Sequence, residues 1–374
     1  MVYAQILQEF YCGIDLHGIT MFVCIMDKLG KIHFHEDMPN DFPRLLLALK
    51  PYLGRVAVGV ESTYNWYWLG DGCHQHKIPF YLGHALYMKA IHGGKKKDDK
   101  IDSRTIANLM RSQYFPLAYA YPEKMRATRD LLRRRTYYVR IRAAAYAHVR
   151  NTFAQQGILD VERKDVLRKS SRDQLPERLN SDPCLSAIIA QDFAVMSEFD
   201  DIIDKIERLA MAQAKDHDRA AYELLQTIPG VGPILAMVLL YEIHDIRRFA
   251  TPQKFSSYCR LVKVAHTSAG KRVGGGNNKI GNPYLKWAFS EAFHHATKYS
   301  VPIRKYYDKL KGKCGAGRAA SIIAHRFGVA VYYMLKNGNG FDEKVFLSQN
   351  YRGDGEPGVQ LEKQVRTESL SISV

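Results

Sequence analysis

Four carboxylates occupy positions where a fold can gather them. Asp15 closes the short β-prone run Tyr11-Cys-Gly-Ile-Asp15, and Glu61 follows the apolar run Val56-Ala-Val-Gly-Val60. Asp99 and Asp102 lie three apart at a helix start, so they share one helix face. Acids at the strand ends of one sheet, faced by a helix carrying two more, offer the oxygen ligands that magnesium prefers, with positions left open for phosphate. Two such ions about 4 Å apart can clamp the attacking and leaving oxygens of a phosphodiester. Taken singly, each acid reads more readily as a turn residue or a helix cap; the four in this order point to a metal site.

Two further segments carry chemistry. Ile228-Pro-Gly-Val-Gly232, between helical runs, has the form of a helix-hairpin-helix. Its glycines Gly230 and Gly232 permit a tight turn, and the helix that follows points its first amides at a phosphate. Such a hairpin holds a duplex backbone without reading sequence; an ordinary interhelical turn is the alternative. The segment His266-Thr-Ser268-Ala-Gly-Lys271-Arg272, with Gly274-Gly-Gly276 and Lys279-Ile-Gly-Asn282 after it, sets a serine among glycines and cations. A basic loop there can bring phosphate to a hydroxyl, whose oxygen can attack phosphorus. A solvated loop with a bystander serine fits the same residues.

The elements that must position these groups divide the chain. Residues 1–118 read as α/β: short β runs at Tyr11–Asp15, Met21–Met26 and Lys31–His35, a helix from Phe42 to Leu53, the apolar strand Val56–Val60, a helix over Tyr64–His76, a strand at Pro79–Leu82 and, after the basic loop Lys95–Lys97, a helix over Ile101–Ser112. Residues 119–218 read as a helical linker. Glu123–Gln155 contains no Gly or Pro and is crowded with arginines, including Arg126, Arg133, Arg134, Arg135 and Arg150. Val195, Phe199, Ile202, Ile206 and Leu209 repeat at 4, 3, 4, 3, which is a coiled-coil seam or one side of a helical hairpin. The charged stretch Glu162–Pro183 between them reads as a loop or small insertion. Residues 219–349 read as a mostly helical domain, and 350–374 as a polar tail.

Composition narrows the partner. The 374 residues carry 54 Lys+Arg against 38 Asp+Glu, a net +16, and an excess of that size points to a polyanion such as nucleic acid. Hydrophobic content of 46% supports real cores and excludes wholesale disorder. The six cysteines show no metal spacing. No apolar stretch is long enough to span a bilayer and no signal-peptide pattern opens the chain, so a reduced, cytoplasmic protein with no membrane partner is expected.

Taken together and in this order, these segments resemble the DEDD transposases of the insertion-sequence family one hundred and ten, the bridge-RNA-guided serine recombinases. The resemblance runs over about residues 10 to 345. Gly13-Ile-Asp15 is similar to the family's opening strand motif and Val60-Glu61-Ser-Thr63 to its Glu motif. Lys97-Asp-Asp99-Lys-Ile-Asp102-Ser103 is similar to its Lys-x-Asp-x-x-Asp-Ala pattern, with Ser103 in place of alanine. Ile228–Gly232, Phe249 and Lys279-Ile-Gly-Asn282-Pro-Tyr-Leu285-Lys286 look like its C-terminal transposase domain. The resemblance implies a RuvC-like, RNase H-type first domain in which Asp15, Glu61, Asp99 and Asp102 hold Mg2+. It implies a coiled-coil linker that helps form a dimer or tetramer. It also implies a catalytic serine at Ser268, with Ser256 and Ser257 as fallbacks because Ser-Ala-Gly stands where Ser-Gly is usual. That serine would form a phosphoserine link to DNA in an active site composed between protomers, and a structured bridge RNA would pair with donor and target DNA.

If base pairing reads sequence, the protein needs only backbone and shape contacts. Arg133, Arg134 and Arg135 on the long helix, and Lys271, Arg272 and Lys279 around the serine, are then the expected phosphate contacts. Two other readings use the same residues: a RuvC-like nuclease or Holliday-junction resolvase with water as nucleophile, and a non-catalytic nucleic-acid-binding protein whose acids are structural.

Overall fold

A computed structural model of the chain describes residues 3–91, 99–179, 182–262, 265–268, 271–275 and 280–348. Two compact units emerge, Met1–Ala127 and Thr128–Val374.

The first unit is a five-stranded mixed sheet with helices on both faces. Its elements are β1 (Phe10–Leu16), β2 (Thr20–Asp27), β3 (Ile32–Pro39), α1 (Phe42–Leu49), β4 (Val56–Glu61), α2 (Tyr67–Gln75), β5 (Phe80–Gly83), α3 (Ala85–Ile91) and α4 (Asp99–Arg111). The strand order is β3-β2-β1-β4-β5. Strands β1, β2 and β3 form an antiparallel meander, whereas β1, β4 and β5 run parallel. The expected meander and buried central strand are both present; α3, on Ala85–Ile91, was not anticipated.

Alternation along the strands sorts residues between two cores. Cys12, Ile14 and Leu16 of β1 and Val56, Val58 and Val60 of β4 join Leu45 and Leu49 of α1 and Leu69 of α2 on one face. Tyr11 and Ala57 join Ile106, Ala107 and Met110 of α4 on the other. Asp15 and Glu61 keep the odd parity and so lie on the α4 side. Gly13 shares that parity, and a Cβ there would stand 2.3 Å from both Ser103 O and Ala107 N. Only glycine lets the α4 backbone come so close to β1. The opposite edge of the sheet, β3, is polar and largely exposed, as an edge strand tolerates.

The second unit is helical. Most of α5 (Glu123–Gln155), then α6 (Arg163–Leu167), α7 (Lys169–Arg172) and α8 (Pro183–His217), form a hairpin. Arg135 pairs with Glu207, Arg142 with Asp200 and His148 with Asp192, so numbers fall on α8 as they rise on α5 and the helices are antiparallel. The seam differs from the expected one. Val195 and Leu209 are exposed, while Ile189, Phe193, Met196, Ile203, Ile206 and Ala210 are buried. The stretch expected as a charged loop packs Val166, Leu175 and Leu179 beneath the hairpin with Val149 and Phe153, so its few apolar residues outweigh its charge.

The remaining elements are α9 (Arg219–Gln226), α10 (Pro233–Ile243), α11 (Pro252–Tyr258), β6 (Ala265–Ser268), β7 (Lys271–Gly275), α12 (Pro283–Tyr299), α13 (Val301–Cys314), α14 (Ala316–Asn337) and α15 (Glu343–Ser348). Helix α10 is buried continuously from Leu235 to Ile243 and forms the centre of this part. The segment expected as a basic loop carries an antiparallel strand pair, with Ser268 opposite Lys271. The expected polar tail, the Lys95–Lys97 loop, Gly276 and Lys279 lie outside the described residues.

Candidate active site

Because β1, β4 and β5 are parallel, their carboxyl ends lie along one edge of the sheet. That edge is where open α/β sheets bind ligands. Asp15 stands near the end of β1 and Glu61 ends β4. The register Ile14↔Val60 sets these two acids on adjacent strands and on the same face. Helix α4 begins at Asp99 and passes Ser103 and Ala107 over Gly13, which carries its N-terminal turn to the same edge.

His35 on β3 fixes that turn. Its Nε2 lies 3.0 Å from Lys100 O, to which it donates, and 3.3 Å from Ser103 Oγ. Ser103 is fully buried and its hydroxyl also donates to Lys100 O at 3.2 Å. The hydroxyl that departs from the expected alanine is therefore satisfied within the turn that carries both acids.

Asp15 and Asp99 converge on His17, which the sequence reading did not single out. His17 Nε2 lies 3.3 Å from Asp15 Oδ2 and 3.2 Å from Asp99 Oδ2. The three residues offer ligand atoms within 4.8 Å of one another. Nε2 is shielded from solvent, yet neither contact has hydrogen-bond alignment. A buried nitrogen facing two carboxylates without a hydrogen bond, together with hard oxygen donors, fits a divalent cation. Among the described residues Glu61 and Asp102 are not in this tight group. Both are half-buried at the same edge, Asp102 one turn along α4. The signal for His17 was available in the sequence: two residues beyond Asp15, it keeps the parity that faces α4.

The same edge carries a second histidine, His84, immediately after β5. Its Nδ1 is buried without a hydrogen-bond partner, and burial holds the imidazole below its ordinary pKa.

The expected phosphate contacts on α5 divide in two. Arg133 donates to Glu242 at 2.6 Å through Nε and stacks 4.4 Å over Tyr284. Arg135 pairs with Glu207 at 2.7 Å. Both guanidinium groups are thus engaged inside the second unit. Arg134 is exposed and lies 4.4 and 4.8 Å over the rings of Tyr137 and Tyr138. Tyr137 is exposed and Tyr138 half-buried, and an exposed arginine over aromatic rings is a pairing that suits a nucleic-acid surface.

Glu242 is the hub of this region. It is 2% exposed and accepts from Arg129, Arg133 and Asn282. Burial pushes its carboxyl up, but the hydrogen bond from Arg133 and the charges of Arg129 and Arg133 outweigh that and hold it below the usual carboxylate value. Asn282 in turn caps α12 by accepting from Tyr284 N and Leu285 N. Arg260 Nε donates to Ile280 O at 3.0 Å, which ties together the two sides of the segment bearing β6 and β7. Ser268, Lys271 and Arg272 are placed on those strands by their backbone. Of the fallback serines, Ser256 is fully buried and out of reach of a nucleic acid in this conformation, whereas Ser257 is exposed.

The glycine hairpin joins α9 to α10. Gly230 has φ +84, and a Cβ there would press within 2.6 Å of the His295 backbone. Gly232 caps α10, with Pro233 at the first turn, and has open space around it. Val231 N donates back to Ile228 O at 3.0 Å within the turn, and Gly232 and Pro233 are exposed.

Residues 12–156 match the family model of IS110-type DEDD transposases, described as "Transposase", and residues 222–308 match the model described as "Transposase IS116/IS110/IS902 family". The chain is 24% identical over 285 residues to the transposase for insertion sequence element IS1111A of Coxiella burnetii, covering 73% of this chain and 74% of that protein. It is 26% identical over 216 residues to a "Probable family 20 transposase" of Pseudomonas aeruginosa, covering 55% of this chain and 62% of that one.

Proposed function

We propose that this chain, which matches models of IS110-type transposases over residues 12–156 and 222–308, is an insertion-sequence transposase of that family and an RNA-guided DNA recombinase with a RuvC-like first domain and a serine nucleophile. The observation that carries the reading is the convergence of Asp15 and Asp99, from a strand end and a helix start, on one point at the sheet edge. Glu61 and Asp102 complete the acid set from the adjacent strand and the next helical turn. A divalent ion such as Mg2+ held by these acids would supply Lewis-acid stabilisation of charge on a phosphodiester.

Ser268 acts as the nucleophile. Its Oγ forms a bond to phosphorus as one phosphorus–sugar oxygen bond breaks, and the hydroxyl proton passes to the sugar oxygen that leaves. Attack by another strand's sugar hydroxyl reverses the exchange, so no external energy source is needed. Lys271, Arg272 and Lys279 neutralise the phosphate, and the hairpin at Gly230 and Gly232 holds duplex backbone. Arg134 with its tyrosines contacts the bridge RNA or DNA, whereas Arg133 and Arg135 order the helix that presents it. The protein works in the cytoplasm as a dimer or tetramer on donor and target DNA. Among the described residues no helix is long and apolar enough to cross a membrane.

The test is divalent-metal-dependent cleavage of DNA carrying the element's ends, in the presence of RNA from the flanking sequence. Wild type should cleave, and Asp15→Asn should bind nucleic acid normally and not cleave. Correct recombination after complete removal of RNA would refute the guided reading. Equal activity in Asp15→Asn would refute the metal site.

A further inference from the structure

We propose that His17 is a direct nitrogen ligand of the Asp15–Asp99 site, so that the site selects manganese(II) and related transition ions over magnesium. The inference rests on reading that cluster as a metal centre, and it adds a ligand that the four-carboxylate account does not contain.

The ring is placed by its backbone. His17 N donates to Thr20 O at 2.9 Å in the turn from β1 to β2. His17 O accepts from Asn40 Nδ2 at 2.9 Å and from Asn65 Nδ2 at 2.6 Å. Asn65 is itself held by Thr63 Oγ1 at 3.0 Å, in the loop that leaves Glu61. Two amides and a turn therefore clamp this residue from the end of β3 and from the exit of β4. A ligand fixed in this way loses little entropy on binding.

The spacing fits coordination. Neighbouring ligands around an octahedral ion with bonds of about 2.1 Å stand roughly 3 Å apart. The separations from His17 Nε2 to the two carboxylate oxygens are 3.3 and 3.2 Å. The missing hydrogen-bond alignment at Nε2 points the same way, because a hydrogen-bonded imidazole would aim its N–H at one oxygen. Magnesium favours an all-oxygen shell and keeps its waters, whereas manganese and the later first-row ions take imidazole readily. One nitrogen donor therefore shifts preference without excluding magnesium.

The experiment uses the full chain with manganese(II) as probe. Electron spin resonance counts free ion, titration with magnesium gives the competing affinity, and pulsed measurements report nitrogen coupling to the bound ion. Wild type should show nitrogen coupling and bind manganese more tightly than magnesium. His17→Ala should lose the coupling and about tenfold or more of manganese affinity, with magnesium affinity nearly unchanged. Wild type with bound manganese but no nitrogen coupling would overturn the proposal without any appeal to a variant. So would an unaltered manganese-to-magnesium ratio in His17→Ala. Asp15→Asn separates the two levels of the argument. Ion binding that ignores this change removes the metal centre itself, whereas binding that needs Asp15 but ignores His17 removes only the histidine ligand.

Discussion

Replacing Glu242 by alanine would remove the carboxylate that accepts from two guanidinium groups in the interior of the second unit. The Glu242 side chain is 3% exposed, that of Arg129 10% and that of Arg133 30%. Removing one partner of such a buried group costs about 3–5 kcal/mol, because the remaining charge stays desolvated. The second unit, Thr128–Val374, belongs to the size class in which 1 kcal/mol moves a melting midpoint by about 2–4 °C. Glu242→Ala should therefore lower the midpoint at neutral pH by roughly 6–20 °C. Replacing Glu242, Arg129 and Arg133 together by leucine and methionine should recover much of the loss, since no buried charge is then stranded. The pH dependence has a definite sign. The folded carboxyl sits below its ordinary value, so its stabilisation is present above about pH 4.3 and fades as pH falls through the lower folded pKa. Acid should thus narrow the gap between wild type and Glu242→Gln. Calorimetric melts across that range are the assay. A shift under about 2 °C for Glu242→Ala would refute the view that this network holds the unit together.

Other expectations follow from the same geometry. Gly13→Ala sets a methyl 2.3 Å from the α4 backbone and should cost about 1–3 kcal/mol, with weaker metal binding as the helix shifts; an unchanged melt and metal titration would show that α4 is not held there. Arg134→Glu should weaken RNA and DNA binding and leave the melting midpoint nearly unmoved, whereas Arg133→Glu should lower the midpoint through Glu242. Equal effects of both on binding alone, measured by filter retention and melting, would contradict the division of the arginine cluster. Asp102→Ala should abolish cleavage with folding and nucleic-acid affinity intact, and normal recombination by that variant would remove Asp102 from the acid set.

Much of the first unit was legible in the sequence because its signals are local. The period of two through Cys12, Ile14 and Leu16 and the apolar run at Val56–Val60 fix which way Asp15 and Glu61 face. The spacing of Asp99 and Asp102 fixes their common helix face. The role of His17 depends on Asn40 and Asn65, which are remote in sequence and polar, so no periodicity marks them. The arginine cluster misleads for a related reason. Charge alone does not reveal a partner such as Glu242, more than a hundred residues away and buried in an otherwise apolar helix. The seam of α8 was displaced because Val195 and Leu209 keep the heptad spacing while the buried line runs through Ile189, Phe193 and Met196. Burial there follows the small core under the hairpin, which the charged composition of Glu162–Pro183 concealed.

Covalent recombination through a serine, as proposed above, is open to direct trial by trapping the protein on DNA. Labelled DNA bearing the element's ends, the flanking RNA and a divalent ion would be incubated with the protein, quenched in denaturant, digested and mapped by mass spectrometry. A phosphodiester remnant is expected on Ser268 and absent from Ser268→Ala and from Asp15→Asn. A remnant on Ser257, on Ser256 or on a tyrosine would contradict the assignment of the nucleophile, and cleavage with no adduct at all would contradict the recombinase reading in favour of hydrolysis by water.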